Sequence, residues 1–354
     1  MRRNAAVRNS MRFYANTSHF VVLWLEERES WSDSAIRSSM HDATLATVTR
    51  RPRFRRSNKP IPFRLTDGDL QIVRTIGRHR FLRSIHVAAL VGRSLDRTNE
   101  RLRRLFHAGY IDRPKAQLDY YPTAGSAPMA YALADRGVRL LVENGLESEN
   151  LTVSRNNQQA GRPFIEHQLE IAEFSVALEL AAQRHRDIRL IHSDELIRGF
   201  PEPGRVKRIP LALGATISHE GRTVGIGIVP DLAFGIGFRD GSRRCFVVEI
   251  DRGTMPISRS DISQTSFERK MRGYLTAYAG RQHERQFGWK AFRVLTVTTD
   301  RCRLGSIVDT LRRLDVPQSP GPALFWFAVR GELHRTDPIA YLWQDGASRS
   351  QRLV

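Results

Sequence analysis

The chain has 354 residues, with 56 Lys and Arg against 37 Asp and Glu, a formal net charge of +19 and a hydrophobic fraction of 41%. That length and apolar content suffice for two folded domains, and so positive a field draws polyanions, with nucleic acid as the leading partner. A membrane role is not expected: the apolar run from Phe20 to Leu25 is far too short to span, and no long amphipathic face accompanies it.

Most of the positive charge is Arg, whose planar fork suits phosphate and guanine, although a GC-rich coding sequence gives the same bias. Cys245 and Cys302 are the only cysteines. They can build neither a disulfide framework nor a zinc site by themselves, so a reducing cytoplasm is the expected location. The early Arg residues and the Phe20–Leu25 run imitate a signal peptide, but Glu26 and Glu27 stand where a cleavage site belongs.

Residues 1–62 carry Arg-rich and Ser-rich stretches without periodicity and end in the cluster Arg50, Arg51, Arg53, Arg55, Arg56 and Lys59, which reads as a disordered basic arm. Order is expected from Thr66, which with Asp69 three residues on forms a capping box for a helix reaching about Arg78. A second short helix is expected from Ser84 to Leu90, broken at Gly92. A third runs from about Ser94 to Ala108, burying Leu95, Thr98, Leu102, Leu105 and Phe106, with Gly109 as its left-handed cap. Extended segments around Ile111 and Ala130–Leu133 read as a hairpin, followed by a helix from Asp135 to Asn144. Three helices and a hairpin over residues 63–146 predict a winged helix-turn-helix domain.

A polar linker is expected over 147–163, a second domain over 164–335, and a tail over 336–354. The second domain opens with an amphipathic helix from Phe164 to Arg184. Strands are expected at Ile188–Ile191, Val224–Phe238, Cys245–Ile250, Phe292–Val297 and Leu324–Val329, with a helix from Ser263 to Tyr278. Alternating strands and helices predict an α/β mixed sheet, the middle strands joined by a tight turn at Arg239–Ser242.

On the third helix Arg97, Arg101 and Arg104 recur at helical spacing, with Arg93 one turn earlier, and so form a stripe opposite the apolar face. Such a helix suits the major groove of double-stranded DNA, with Ser94, Thr98 or Asn99 adding contacts and Arg113 and Lys115 lying along the backbone. An Arg-rich helix face can equally be solvated or contact protein. Half-site reading would favour a homodimer.

In the second domain Pro230-Asp231 begins or interrupts one strand and Glu249-Ile250-Asp251 ends the next. Strand alternation puts Glu249 and Asp251 on one face, and hairpin pairing brings Asp231 near. Three carboxylates in one place would call for a divalent cation, Mg²⁺, which can activate water for phosphodiester cleavage. Glu170 is a candidate extra ligand, and Lys270 and Gln264 border the buried stripe of the next helix. Acidic strand ends also commonly pair with Arg, here Arg243, Arg244 or Arg252. The histidines His167, His185, His192 and His283 lack metal-ligand spacing, and the Gly-Ile-Gly segments at 225–227 and 235–237 lack the context of a nucleotide loop.

The order Pro-Asp, turn, Glu-x-Asp resembles the PD-(D/E)xK nuclease superfamily, which would make this a restriction-endonuclease-like domain. Asp251 stands where that pattern has lysine. Some members of the superfamily supply the lysine from a neighbouring helix, which makes Lys270 the candidate alongside Asp231, Glu249 and Asp251. More specifically, Leu65-Thr66 through Leu82, the segment Arg101–Arg113, Tyr131-Ala132-Leu133, His167, Pro230-Asp231 and Glu249-Ile250-Asp251-Arg252-Gly253-Thr254 resemble the replication-relaxation family over about residues 65–300. That resemblance implies a plasmid or integrative-element protein engaged in replication, relaxation or mobilisation, with replication or mobilisation proteins as partners and Arg252 as a phosphate contact. The competing expectation is a non-catalytic regulator or accessory factor whose nuclease-like domain only grips DNA or a partner.

Overall fold

A computed structural model describes residues 53–58, 62–117, 127–145, 157, 159–202, 207–219 and 221–354. The fold is α/β. From Arg51 to Val354 the chain forms one compact unit. The expected basic arm lies outside the described residues except for 53–58 and 62, as do residues 147–156 and 158 of the expected linker and the turn 118–126 of the expected hairpin.

Helix α1 (Asp67–His79) starts at Thr66, whose hydroxyl accepts from the Asp69 amide while the Asp69 carboxylate accepts from the Thr66 amide at 2.9 Å. Strand β1 (Leu82–Arg83) leads to α2 (Ser84–Val91), which stops at Gly92 with φ +64. Helix α3 (Leu95–His107) is followed by Gly109 at φ +84, a backbone region open mainly to glycine. Strands β2 (Ile111–Asp112) and β3 (Ala130–Leu133) then form a three-stranded antiparallel sheet in the order β1-β3-β2, and α4 (Asp135–Glu143) closes the segment. Ile72, Val73, Ile76, Val87, Leu102, Leu105, Phe106 and Leu141 make its core.

Helix α5 (Arg162–Ala182) was expected to open a separate domain, but it serves three cores. Ile165 and Leu169 pack with Phe81, Ala130 and Ala132, whereas Ala172 and Val176 enter the core of α1 to α4. Ile171, Phe174, Leu178 and Ala181 cover the large sheet. Apolar residues all round the helix are what such central burial requires.

That sheet has the order β12-β11-β10-β9-β8-β7-β4. Its strands are β4 (Ile188–Ile191), which the short helix α6 (Ser193–Arg198) follows, β7 (Leu232–Phe238), β8 (Arg243–Ile250), β9 (Arg293–Thr298), β10 (Phe325–Val329), β11 (Trp343–Asp345) and β12 (Ser350–Gln351). β8, β9 and β10 run parallel, and every other pairing is antiparallel. Parallel neighbours need crossovers. Helices α7 (Phe267–Ala279) and α8 (Gln282–Phe287) supply one, and α9 (Arg301–Arg312) the other. Side-chain alternation sends Cys245 and Val247 into the core beneath α7 and α9, and Phe246, Val248 and Ile250 toward α5.

Three expectations are corrected here. The single strand from Val224 to Phe238 is two, because Pro230 interrupts it: β6 (Arg222–Ile228) pairs with β5 (Leu213–His219) in a separate hairpin packed on α7, and β7 belongs to the sheet. Helix α9 stands where no element was expected. Residues 336–354 are not a tail, since β11 and β12 extend the sheet and Ile339, Trp343 and Leu353 are fully buried. Among the described residues no helix is long and apolar enough to cross a membrane.

Candidate functional site

Two charged regions carry the expected site residues. On α3 the underside is apolar, with Leu102, Leu105 and Phe106 buried, and the other faces present the Arg residues. Arg93, Ser94, Arg97 and Asn99 are exposed at its N-terminal end. The Arg93 guanidinium lies against Gly68 in the first turn of α1, where any Cβ would collide with it. Glu100 collects two cations further along the helix: its carboxylate accepts from Arg103 Nε at 2.9 Å and Arg104 Nε at 2.8 Å. These two hydrogen bonds hold the Glu100 carboxyl down to about 2.

Three expected DNA contacts sit elsewhere. Thr98 has no exposed surface, because at its place in the helix it faces the core. Arg101 Nε donates to Asp69 Oδ1 at 2.7 Å, its NH2 bonds the other oxygen, and its guanidinium lies 5.4 Å from the Phe63 ring. Burial alone would raise the Asp69 carboxyl, but the hydrogen bonds from Arg101 and Thr66 bring it below the usual range. Arg101 therefore clamps α3 to α1 instead of standing clear. Arg113 lies over the rings of Phe106 at 4.3 Å and Tyr131 at 5.3 Å and donates to the Arg53 carbonyl at 2.8 Å. Nearby Arg56, in the expected arm, is anchored by the Phe106 carbonyl at 2.9 Å and by Asp112.

The second region lies at the C-terminal ends of the parallel strands. Leu232 pairs with Val248, so Asp231 arrives beside the end of β8, with its amide donating to the Val248 carbonyl at 3.0 Å. Its Oδ2 accepts from the Ile250 amide at 2.8 Å, and His167 Nε2 on α5 is 3.0 Å from Oδ1. Glu249, 2% exposed, points toward α7, where Lys270 and Tyr274 are one helical turn apart. Lys270 Nζ donates to Glu249 Oε2 at 2.5 Å, and Tyr274 Oη to Oε1 at 2.6 Å.

The local field follows from these contacts. Burial pushes the Glu249 carboxyl up, and the Lys270 charge offsets only part of that. Burial would lower Lys270, but Glu249, Asp231 and Asp251 together hold its ammonium above the usual range.

Asp251 shares the Glu249 face of the strand but has its own partners. Arg303 of α9 donates to both its oxygens, at 2.5 and 2.8 Å, and Thr298 Oγ1 donates at 2.7 Å. Glu170 is held by Arg330 at 2.7 Å and Arg252 at 3.3 Å. Arg252 also bonds Glu166 at 2.6 Å and the Pro163 carbonyl at 3.0 Å, so its guanidinium is tied to α5. Gln264 interacts with Arg259 and Asp261, away from Lys270.

The structure thus brings together Asp231, Glu249 and Lys270, and adds Tyr274 and His167, which the sequence reading did not place there. Tyr274 was legible only as part of a buried stripe. The three-carboxylate Mg²⁺ site expected from Asp231, Glu249 and Asp251, with Glu170 beside it, does not form. Among the described residues no three His, Cys, Asp or Glu side chains are grouped to hold a metal ion. Asp231 and Glu249 offer oxygens of the kind Mg²⁺ takes, but both Glu249 oxygens already accept from internal donors. The donor set does not fit the ion as it stands.

These features define an α/β protein with a mixed sheet and a carboxylate–lysine cluster at its parallel strand ends. It belongs to the replication-relaxation family, whose pattern it matches over residues 73–290, more than half of the chain. Membership suggests a role in plasmid replication or relaxation. No curated protein and no solved structure matches the chain.

Proposed function

We propose that this is a duplex-DNA-binding protein of a plasmid or integrative mobile element, acting in replication, relaxation or mobilisation. On this reading α1 to α3 and the β2–β3 hairpin work as a winged helix-turn-helix that enters the major groove. The observation that carries it is the N-terminal edge of α3, where Arg93, Ser94, Arg97 and Asn99 are exposed above a fully packed underside. Helix N-terminal residues are the ones that reach base edges in this docking geometry. A gel-shift titration over a salt series tests it: Arg93→Ala with Arg97→Ala should weaken binding and flatten the salt dependence by about two phosphate contacts. Unchanged affinity and slope in the folded double variant would overturn the reading.

In this proposal the α/β part grips DNA or a partner without cutting. A second reading, divalent-ion-dependent nicking with the lysine supplied by α7, requires Lys270 to give up its Glu249 contact so that an ion can enter beside Asp231. Supercoiled plasmid incubated with the protein and Mg²⁺ or Mn²⁺ separates the two. Intact plasmid supports the grip, and nicking that disappears in Asp231→Ala establishes the second reading.

A further inference from the structure

The Asp231–Glu249 cluster already contains a cation. Lys270 reaches it from α7 with its ammonium 2.5 Å from Glu249 Oε2, while Tyr274 occupies the other oxygen. The Glu249 side chain is 3% exposed and that of Lys270 27%, so Lys270 is the member of the pair that reaches solvent. The neighbouring acids add no free charge, because Asp251 is matched by Arg303, and Glu170 by Arg252 and Arg330. Two carboxylates and one ammonium leave this cluster a single formal negative charge, with His167 against Oδ1 of Asp231. Without the ammonium the same two carboxylates would present hard oxygen donors with no ammonium among them, the donor type that suits a divalent ion.

We propose that Lys270 is the resident cation of this cluster and keeps divalent ions out, so that removing its charge converts the cluster into a divalent-cation site. A divalent ion entering the intact protein must displace an ammonium already hydrogen-bonded to a buried carboxylate, and ion and ammonium would repel at short range. A neutral side chain of similar length removes that competitor while filling its volume. The proposal does not depend on DNA being the partner, and its test contains none.

The full chain is titrated with Mn²⁺, with free ion followed by electron paramagnetic resonance, for the wild type, Glu249→Gln, Lys270→Met and the double variant. Circular dichroism melts establish that each is folded. The wild type should titrate like Glu249→Gln. Lys270→Met should take up about one further Mn²⁺ per chain, at least about tenfold tighter than the wild type, and the double variant should lose it. Lys270→Gln makes the same charge change should the Met variant fail to fold. Two results would overturn the proposal: wild-type Mn²⁺ binding abolished by Glu249→Gln, or a folded, charge-neutral Lys270 variant without uptake. Neither bears on DNA binding through α3.

Discussion

Helix α3 and the end of β8 both concentrate charge within a few residues, but they dispose of it differently. At the N-terminal edge of α3 the cations face water, and Glu100 gathers Arg103 and Arg104 further along. At the end of β8 each acid has an internal partner: Lys270 and Tyr274 for Glu249, Arg303 for Asp251, Arg330 and Arg252 for Glu170, and His167 for Asp231. An exposed charge remains available to a ligand at little cost, whereas a buried one must be matched before the chain can fold. Charge density in a sequence therefore says little about availability. The burial of the surrounding backbone decides that.

Arg101 tests this contrast most severely, because it lies on α3 yet behaves like the β8 charges. Arg101→Ala leaves the fully buried Asp69 carboxylate without its main partner, retaining only Thr66. Breaking a buried pair costs several kcal/mol, and the remaining Thr66 bonds reduce this to about 2–3 kcal/mol. Urea unfolding should show that loss. An unchanged midpoint, together with a reduced salt slope in DNA binding, would show that Arg101 faces the ligand after all.

His86 carries the comparison to a histidine. Burial, with the charges of Arg83, His79 and His334, pushes its imidazole down to about 3. The unfolded imidazole takes a proton near pH 6.5, which the folded one refuses until about 3, so the unfolded state binds more protons in between. Stability should therefore be lost as the pH falls below about 6.5, by at most about 1.4 kcal/mol per pH unit from this group. Thermal melts between pH 7 and pH 4 should show a shallower decline for His86→Gln than for the wild type. Equal slopes would remove His86 from the account.

The smallest effect is expected at the exposed end of the comparison. Glu100→Gln removes two surface pairs, so stability should change by no more than about 0.5 kcal/mol. It also releases Arg103 and Arg104, and DNA affinity should rise at low salt while stability holds. A fall in affinity would mean that Glu100 positions these arginines for the duplex.

Much of both regions was legible from spacing. The 3.6-residue period identified the packed underside of α3, and strand alternation put Glu249 and Asp251 on one face of β8. Lys270 was suggested by resemblance to nucleases that take their lysine from a helix, and it is at Glu249. The partners of Arg101 and Asp251 were not legible. Asp69 is 32 residues from Arg101 and was read only as a capping residue, and Arg303 lies on a helix that the apolar pattern did not reveal. The same limit explains Trp343 and Leu353, which are too few and too scattered to announce edge strands but are buried once β10 offers a neighbour.

By itself, the amino-acid sequence determined the α/β class, the order of most helices and strands, the turns at Gly92 and Gly109, and the family. Those properties follow from local periodicity, capping and backbone freedom, which act within a few residues. Only the tertiary structure decided which charges cancel, that α5 serves both halves of the protein, and that the acidic strand ends receive a lysine from α7 and a guanidinium from α9 instead of converging on one another. Ion pairing is set by distance in space, and side chains far apart in the chain meet only after the sheet and its crossovers have brought them together.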